Sequence, residues 1–299
     1  MPFSLDSALT RPKPRPWIKR HPVLFPLILF VLLSLGYFSI QTSTQDPAFG
    51  IIPVKGVILE SEPVVRKLRS LEDDPQIKGI IVHINSPGGA VAASQEIFTE
   101  LLRIRKKIPV YSSIASVAAS GGYYVAIGTQ KIYANPGSLT GSIGVIMQTY
   151  NVKQLLDKVG VYTETIKSGK NKDVGSVFRE MRPEERLLLE GVINDTHQQF
   201  VQATADNRPL DVSEVKSLAD GSVFTGQQAH KNGLVDGLLS FRETINQLKN
   251  DIGLKGEVQL IYPEDEKTLL TEILDSVKSL LTIKKEATLS GLLYLNRFL

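Results

Sequence analysis

Ser120 stands between two alanines and two glycines, in Ala118-Ala119-Ser120-Gly121-Gly122-Tyr123-Tyr124. Small neighbours leave its hydroxyl uncrowded, and glycine lets a second backbone approach closely. The apolar run that follows reads as the start of a buried helix. A helix N-terminus leaves unpaired N–H groups and a partial positive charge beside the hydroxyl. Such donors suit the oxyanion that forms when a serine attacks a carbonyl. The same composition also makes an ordinary tight helix start, so the reading depends on finding a base.

The chain has four histidines. His21 lies in a basic segment, His83 in a strand that reads as buried, and His197 and His230 on helices away from any glycine-rich turn. The alternative base is a lysine. An ordinary lysine titrates near 10.4 and is protonated at neutral pH. It becomes a base only when desolvation disfavours the ammonium. Lys167, Lys170 and Lys172 follow a strand-like segment and are candidates, against the plain reading of solvated loop lysines. A second glycine pair, in Ser86-Pro87-Gly88-Gly89, ends an apolar run, where open α/β sheets place ligands. It reads as an oxyanion hole, an anion site or a helix-opening turn. It is not a phosphate loop: G-x-x-x-x-G-K-[ST] is absent, and Gly88-Gly89 lacks the third glycine of G-x-G-x-x-G. The chain has no cysteine. That excludes disulfides, thiolate nucleophiles and cysteine metal sites. No metal or cofactor is expected.

These residues need elements to hold them. Ile51–Leu59 is β-rich, Glu60–Asp74 has helical spacing, and Ile77–Asn85 suits a strand buried on both faces. Ala90–Lys107 reads as a helix and Pro109–Ile114 as a strand. Alternation with long crossovers predicts parallel strands in an α/β unit. After the Ser120 segment come a strand at Lys131–Ala134, the turn Pro136–Gly144, a helix at Asn151–Val159 and a strand at Val161–Ile166. A polar loop, 167–173, precedes a long helix from Pro183 to about Asp206. Helices near Val212–Ala219, Thr225–Lys231 and Phe241–Asp251 and a strand at Val258–Tyr262 follow.

The 299 residues carry a formal net charge of +3. Arg11, Lys13, Arg15, Lys19 and Arg20 face only Asp6 and Asp46 before residue 47, and the remainder balances at 29 of each sign. The basicity belongs to the N-terminal segment and argues against a nucleic-acid face. Val23–Ile40 has no charge, near the lower limit for spanning the ~30 Å hydrocarbon core. A cleaved leader is the rival reading, but residues 41–45 offer no small-x-small site. The expected organisation is a basic cytoplasmic tail (1–21), a transmembrane anchor (22–41), a linker (42–49), a catalytic domain (50–264) and a C-terminal amphipathic extension (265–299). The charge asymmetry puts everything after the anchor outside the cytoplasm.

Six motifs in order strengthen the reading: Ile84–Gly89, Ala118–Tyr124, Thr140-Gly141-Ser142-Ile143-Gly144-Val145, Ser168-Gly169-Lys170-Asn171-Lys172-Asp173, Ala219–Ala229 and Gly233-Leu234-Val235-Asp236. Together they resemble the signal peptide peptidase A family in its short, single-copy form, over about residues 50–262. The resemblance implies a crotonase-like (Clp protease-like) α/β fold of ββα units forming a superhelix, preceded by one N-terminal transmembrane helix. It implies a serine–lysine dyad peptidase, with Ser120 as nucleophile, Lys172 as general base and Ser142 supporting the lysine amine. Lys170 is the rival base. Similarity to Clp-type proteases implies that the N–H groups of Gly89 and Gly121 form the oxyanion hole. Hydrophobic peptides such as signal-peptide remnants, a bacterial cytoplasmic membrane and assembly into homo-oligomers are implied likewise. A crotonase-type acyl-CoA enzyme and a catalytically inert membrane-tethered scaffold are the alternatives.

Overall fold

The computed structural model describes Leu27, residues 29–34 and residues 46–263. The chain divides at Asp46/Pro47 into two units. In the first, Leu27 and residues 29–34 are helical and their side chains exposed. The rest of the anchor expected at 22–41, and the extension expected at 265–299, lie outside the described residues. Among the described residues no helix is long and apolar enough to cross a membrane.

The second unit is an α/β layer structure around one sheet. Its opening strands are β1 (Ala48–Ile58), β2 (Ile77–Gly89) and β3 (Val110–Ala119), joined by helices α1 (Glu62–Glu72) and α2 (Val91–Ile104). These three strands pair in parallel. Side chains alternate across a strand, and here both faces are covered. Ile80, Val82 and Ile84 of β2 join Leu68 and Leu71 of α1 and Ile97 and Leu101 of α2 on one side. Ile81 joins Phe49, Ile51 and Leu248 on the other. This two-sided burial is why β2 reads as a continuous apolar run.

Beyond β3 come α3 (Gly121–Ala126), β4 (Lys131–Ala134), β5 (Leu139–Gly141), α4 (Lys153–Lys158), α5 (Pro183–Asn207), α6 (Val212–Leu218), β6 (Val223–Thr225), α7 (Gly226–Lys231), β7 (Gly237–Leu238), α8 (Phe241–Asp251) and β8 (Gln259–Ile261). The sheet runs β6-β5-β3-β2-β1-β8, with β4 pairing β3 and β7. Only β5–β6 is antiparallel among the pairs described. β3 changes partner along its length. Tyr111–Ile114 pair with β4, and Val117–Ala119 pair with β5. The end of β3 is therefore held between the ends of β2 and β5, and Ser120 follows at once.

Two readings of the sequence need correction. Ser86–Gly89 does not break its strand: β2 continues to Gly89 through a shift in register with β1 and β3. Val161–Ile166 is not a strand. No ladder partners it, and all six residues are exposed. β-Branched composition describes a side chain that fits a pleated surface; it does not supply the neighbouring strand. That segment belongs to an exposed arm, residues 145–182, closed by Val152 N–H donating to the Val177 carbonyl at 2.8 Å.

Candidate active site

Ser120 sits at the junction of β3 and α3 with φ 50° and ψ −121°. Ser142 has φ 51°, and these two serines are the only non-glycine residues with positive φ among those described. Such backbone costs of order 1–3 kcal/mol and persists only where its surroundings enforce it. For Ser120 the enforcement is visible. Its N–H donates to the Gly141 carbonyl at 2.9 Å, and its own carbonyl accepts from Tyr124 N–H at 2.9 Å. The Gly141 bond also brings the next residue, Ser142, into the neighbourhood. Ser142 is held by its N–H, which donates to the Ser222 carbonyl at 2.8 Å.

The two glycine pairs meet here. Gly88 has φ +99°, and a Cβ on it would lie 2.6 Å from the Gly121 nitrogen. A Cβ on Gly121 would lie 2.4 Å from Ser94 Oγ and 3.2 Å from the Gly89 nitrogen. One on Gly89 would lie 2.0 Å from the Ile58 carbonyl oxygen. Backbone approaches backbone at distances that leave no room for a side chain. Ser86, fully buried, fixes the bend by accepting the Gly88 N–H at 3.1 Å. Gly121 is the first residue of α3, where the helix itself offers its N–H no partner.

Ser120, Gly89 and Gly121 line one shallow cavity with Val91, Ser94, Gln95, Tyr124, Gly144, Val145, Thr196 and Phe200. No histidine is among these residues. His83 is half-buried elsewhere, stacked on Phe241 with ring centroids 4.3 Å apart. Burial, and then the nearby Lys55, lower its proton affinity. The cavity wall is largely apolar, and burial pushes the Tyr124 phenol above its ordinary range. The helix behind Ser120 is tied down deep in the protein. Tyr123 is wholly buried and its hydroxyl donates to the Leu234 carbonyl at 2.8 Å. Asp236, two residues on, accepts from Ile132 N–H at 2.7 Å and Arg208 Nη1 at 2.8 Å. The Gly233–Asp236 motif thus serves a structural purpose, anchoring the helix that follows Ser120.

Lys172 is not brought to this cavity within the chain. It is exposed on the 145–182 arm and is not among the lining residues. The arm does separate Lys172 from its rival. Lys170 Nζ pairs with Glu184 at 3.3 Å. Lys167 pairs with Asp173, Arg179 with Asp173 and Glu185, and Arg182 with Glu185. Among the described residues the Lys172 ammonium has no hydrogen bond or ion pair. Sequence reasoning missed three features: the positive φ of both serines, Ser94 packed against Gly121, and the selective pairing of the loop's cations. Only the small residues around Ser120 hinted at the first.

Comparison with known proteins bears on the family. Residues 103–255 match the profile of peptidase family S49. A Synechocystis protein whose name marks it as a candidate protease is 42% identical over 236 residues, covering 78% of this chain and 84% of that protein. An Enterococcus faecium protein, named as a candidate signal peptide peptidase SppA, is 38% identical over 200 residues. The chloroplastic serine protease SPPA of Arabidopsis thaliana is 35% identical over 247 residues. The chain spans 58% and 36% of the length of these last two.

Proposed function

The chain belongs to the signal peptide peptidase A family of serine peptidases, peptidase family S49, and we propose that it hydrolyses hydrophobic peptides with a Ser120–Lys172 dyad. One observation carries the assignment of the nucleophile: Ser120 is held at φ 50° in a cavity that Gly89 and Gly121 also line. Neutral Lys172 takes the proton from Ser120 Oγ as the oxygen attacks the peptide carbonyl. The N–H groups of Gly89 and Gly121 stabilise the oxyanion. Lysine then protonates the leaving amine, and water hydrolyses the acyl-enzyme. Ser142 holds the amine between these steps. The unpaired state of Lys172 favours it over Lys170, whose ammonium is tied to Glu184.

In this reading the base reaches Ser120 from a neighbouring copy. The arm that bears Lys172 exposes Ile146, Tyr150, Tyr162 and Ile166, the last at 95%. Large apolar side chains left exposed on one arm suit an interaction site. Assembly of homo-oligomers would cover it and complete the dyad. The apolar wall formed by Val91, Tyr124, Val145 and Phe200 suits hydrophobic side chains. The uncharged stretch at 23–40, helical where described, suits a single-pass anchor in the bacterial cytoplasmic membrane, with the catalytic domain, of crotonase-like fold, on the extracytoplasmic side.

The test is hydrolysis of an unstructured hydrophobic peptide by the full chain, with Ser120→Ala and Lys172→Ala. Each should lose activity by about four orders of magnitude or more. Mixing the two inactive chains should restore a fraction of it if the dyad forms between copies. Full activity in either single variant would sink the dyad, and an inactive parent chain in assembled form would favour the inert scaffold. No observation favours the acyl-CoA reading.

A further inference from the structure

The loop that bears Lys172 is held by one buried carboxylate reached through two arginines, of which Arg179 alone also reaches Asp173. Glu185 lies in the first turn of α5 with its side chain fully buried. Arg179 donates to both of its oxygens, Nη1 to Oε2 at 2.8 Å and Nη2 to Oε1 at 2.6 Å. Arg182 adds its own N–H at 3.0 Å to Oε2 and a side-chain bond to Oε1. The same Arg179 turns its Nε to Asp173 Oδ2 at 2.9 Å and its Nη2 to the Asp173 carbonyl at 3.0 Å. Arg182 and Lys167 both donate to the Lys170 carbonyl, at 2.9 and 3.1 Å. The backbone is thus fixed at Lys170 and at Asp173, the residues flanking Asn171 and Lys172.

A second consequence is electrostatic. Asp173 is the carboxylate next in sequence to Lys172. An ion pair with it would favour the charged ammonium and oppose the use of Lys172 as a base. That carboxylate is already taken by Arg179 and by Lys167, which hold it well below the usual carboxylate range. Glu185 and Glu184, two further acids beside the loop, are taken by Arg179, Arg182 and Lys170, and Glu180 and Asp157 line a cavity of the same arm with Lys167 and Asp173.

We infer that Arg179 is a positioning residue for the general base: it bridges Asp173 to buried Glu185, fixes the Lys172 loop, and withholds Asp173 from the lysine. The inference rests on Lys172 being the base. Lysine in place of Arg179 cannot fork across two carboxylates.

The experiment is a pH–rate profile of kcat and KM on a hydrophobic peptide, using the full chain with Arg179→Gln, Arg179→Gln/Asp173→Asn and Lys172→Ala. Arg179→Gln should lower kcat ten- to a hundredfold at neutral pH with KM little changed. Its rising limb should move up by about one pH unit, because the Asp173 oxygen that Arg179 held, Oδ2, is freed to pair with Lys172 while Lys167 keeps Oδ1. Adding Asp173→Asn should return the limb to its original position while kcat stays low, a rescue that a merely structural arginine would not give. Should the Gln variant not fold, Arg179→Lys carries the same test, with a shift in the same direction. An unmoved limb in a folded variant, or a rise in KM at unchanged kcat, overturns the inference. Activity in Lys172→Ala would instead show that the base is misassigned, which the Arg179 profiles alone cannot produce.

Discussion

The surroundings of Ser120 and those of Lys172 are built on opposite principles. Ser120 stands where three strand ends and a buried helix converge, and glycines admit backbone to backbone within distances that forbid a Cβ. Its position follows from packing and main-chain hydrogen bonds. Lys172 lies on an exposed arm with little apolar burial, and side-chain ion pairs set its place. Packing fixes geometry whatever the salt or pH, whereas charge pairs depend on both partners staying ionised. The surroundings of Ser120 are thus set by main-chain packing, and those of Lys172 by charge pairs gathered on Glu185 and Asp173.

The largest effect that tests this contrast comes from paired glycine substitutions. Gly89→Ala meets the Ile58 carbonyl oxygen at 2.0 Å and should destabilise the fold by about 3 kcal/mol. Gly169→Ala, on the arm, meets nothing within 4 Å and should change stability by less than about 0.5 kcal/mol. Thermal unfolding of the two variants measures both, and equal losses would break the comparison.

Tyr123→Phe comes next. It removes the donor to the Leu234 carbonyl in a wholly buried site, and should cost about 1–3 kcal/mol. Denaturant titration reads it, and kcat should fall with it because α3 carries Ser120. A smaller change, of opposite sign in stability, is expected for Ser142→Gly. Glycine adopts φ 51° freely, so the fold should gain up to about 1 kcal/mol. Loss of the hydroxyl should still lower kcat about tenfold, less than the contribution of a group that itself transfers a proton.

Acid is the mildest probe, silent at neutral pH. Arg103 and Lys107 hold the Glu72 carboxyl down to about 2 against an ordinary 4.5. A carboxylate depressed in the folded state stabilises it above its unfolded value, and the stabilisation fades as pH falls. The contribution should be complete above about pH 4.5 and vanish toward pH 2. Glu72→Gln should flatten the dependence of stability on pH across that window and leave activity at neutral pH intact.

The sequence made some of this legible for identifiable reasons. Helices α1, α2 and α5 announce themselves by apolar spacing or by Pro183, and β2 by a run buried on both faces. The ends of β2 and β3 did not. Proline and glycine signal turns, yet here they permit close approach at the end of a sheet. The Val161–Ile166 misreading has the same root, since a strand is defined by its partner, and a local pattern cannot name one. Ser120 could be found by its small neighbours, but its positive φ is imposed by Gly141, 21 residues later. The preference for Lys172 over Lys170 comes from the family motif's spacing after Gly169; that Glu184 takes Lys170 is a contact no local pattern specifies.

The bond from Tyr123 to Leu234 also puts the site in time. Its two ends are 111 residues apart in the chain. At ordinary synthesis rates the acceptor emerges about 6 to 22 s after the donor. Until then the helix behind Ser120 lacks its anchor, and β4 lacks the pairing that β7 provides. A growing chain therefore carries Ser120 beside an unanchored helix until Leu234 emerges, and the cavity it lines is finished only late in translation.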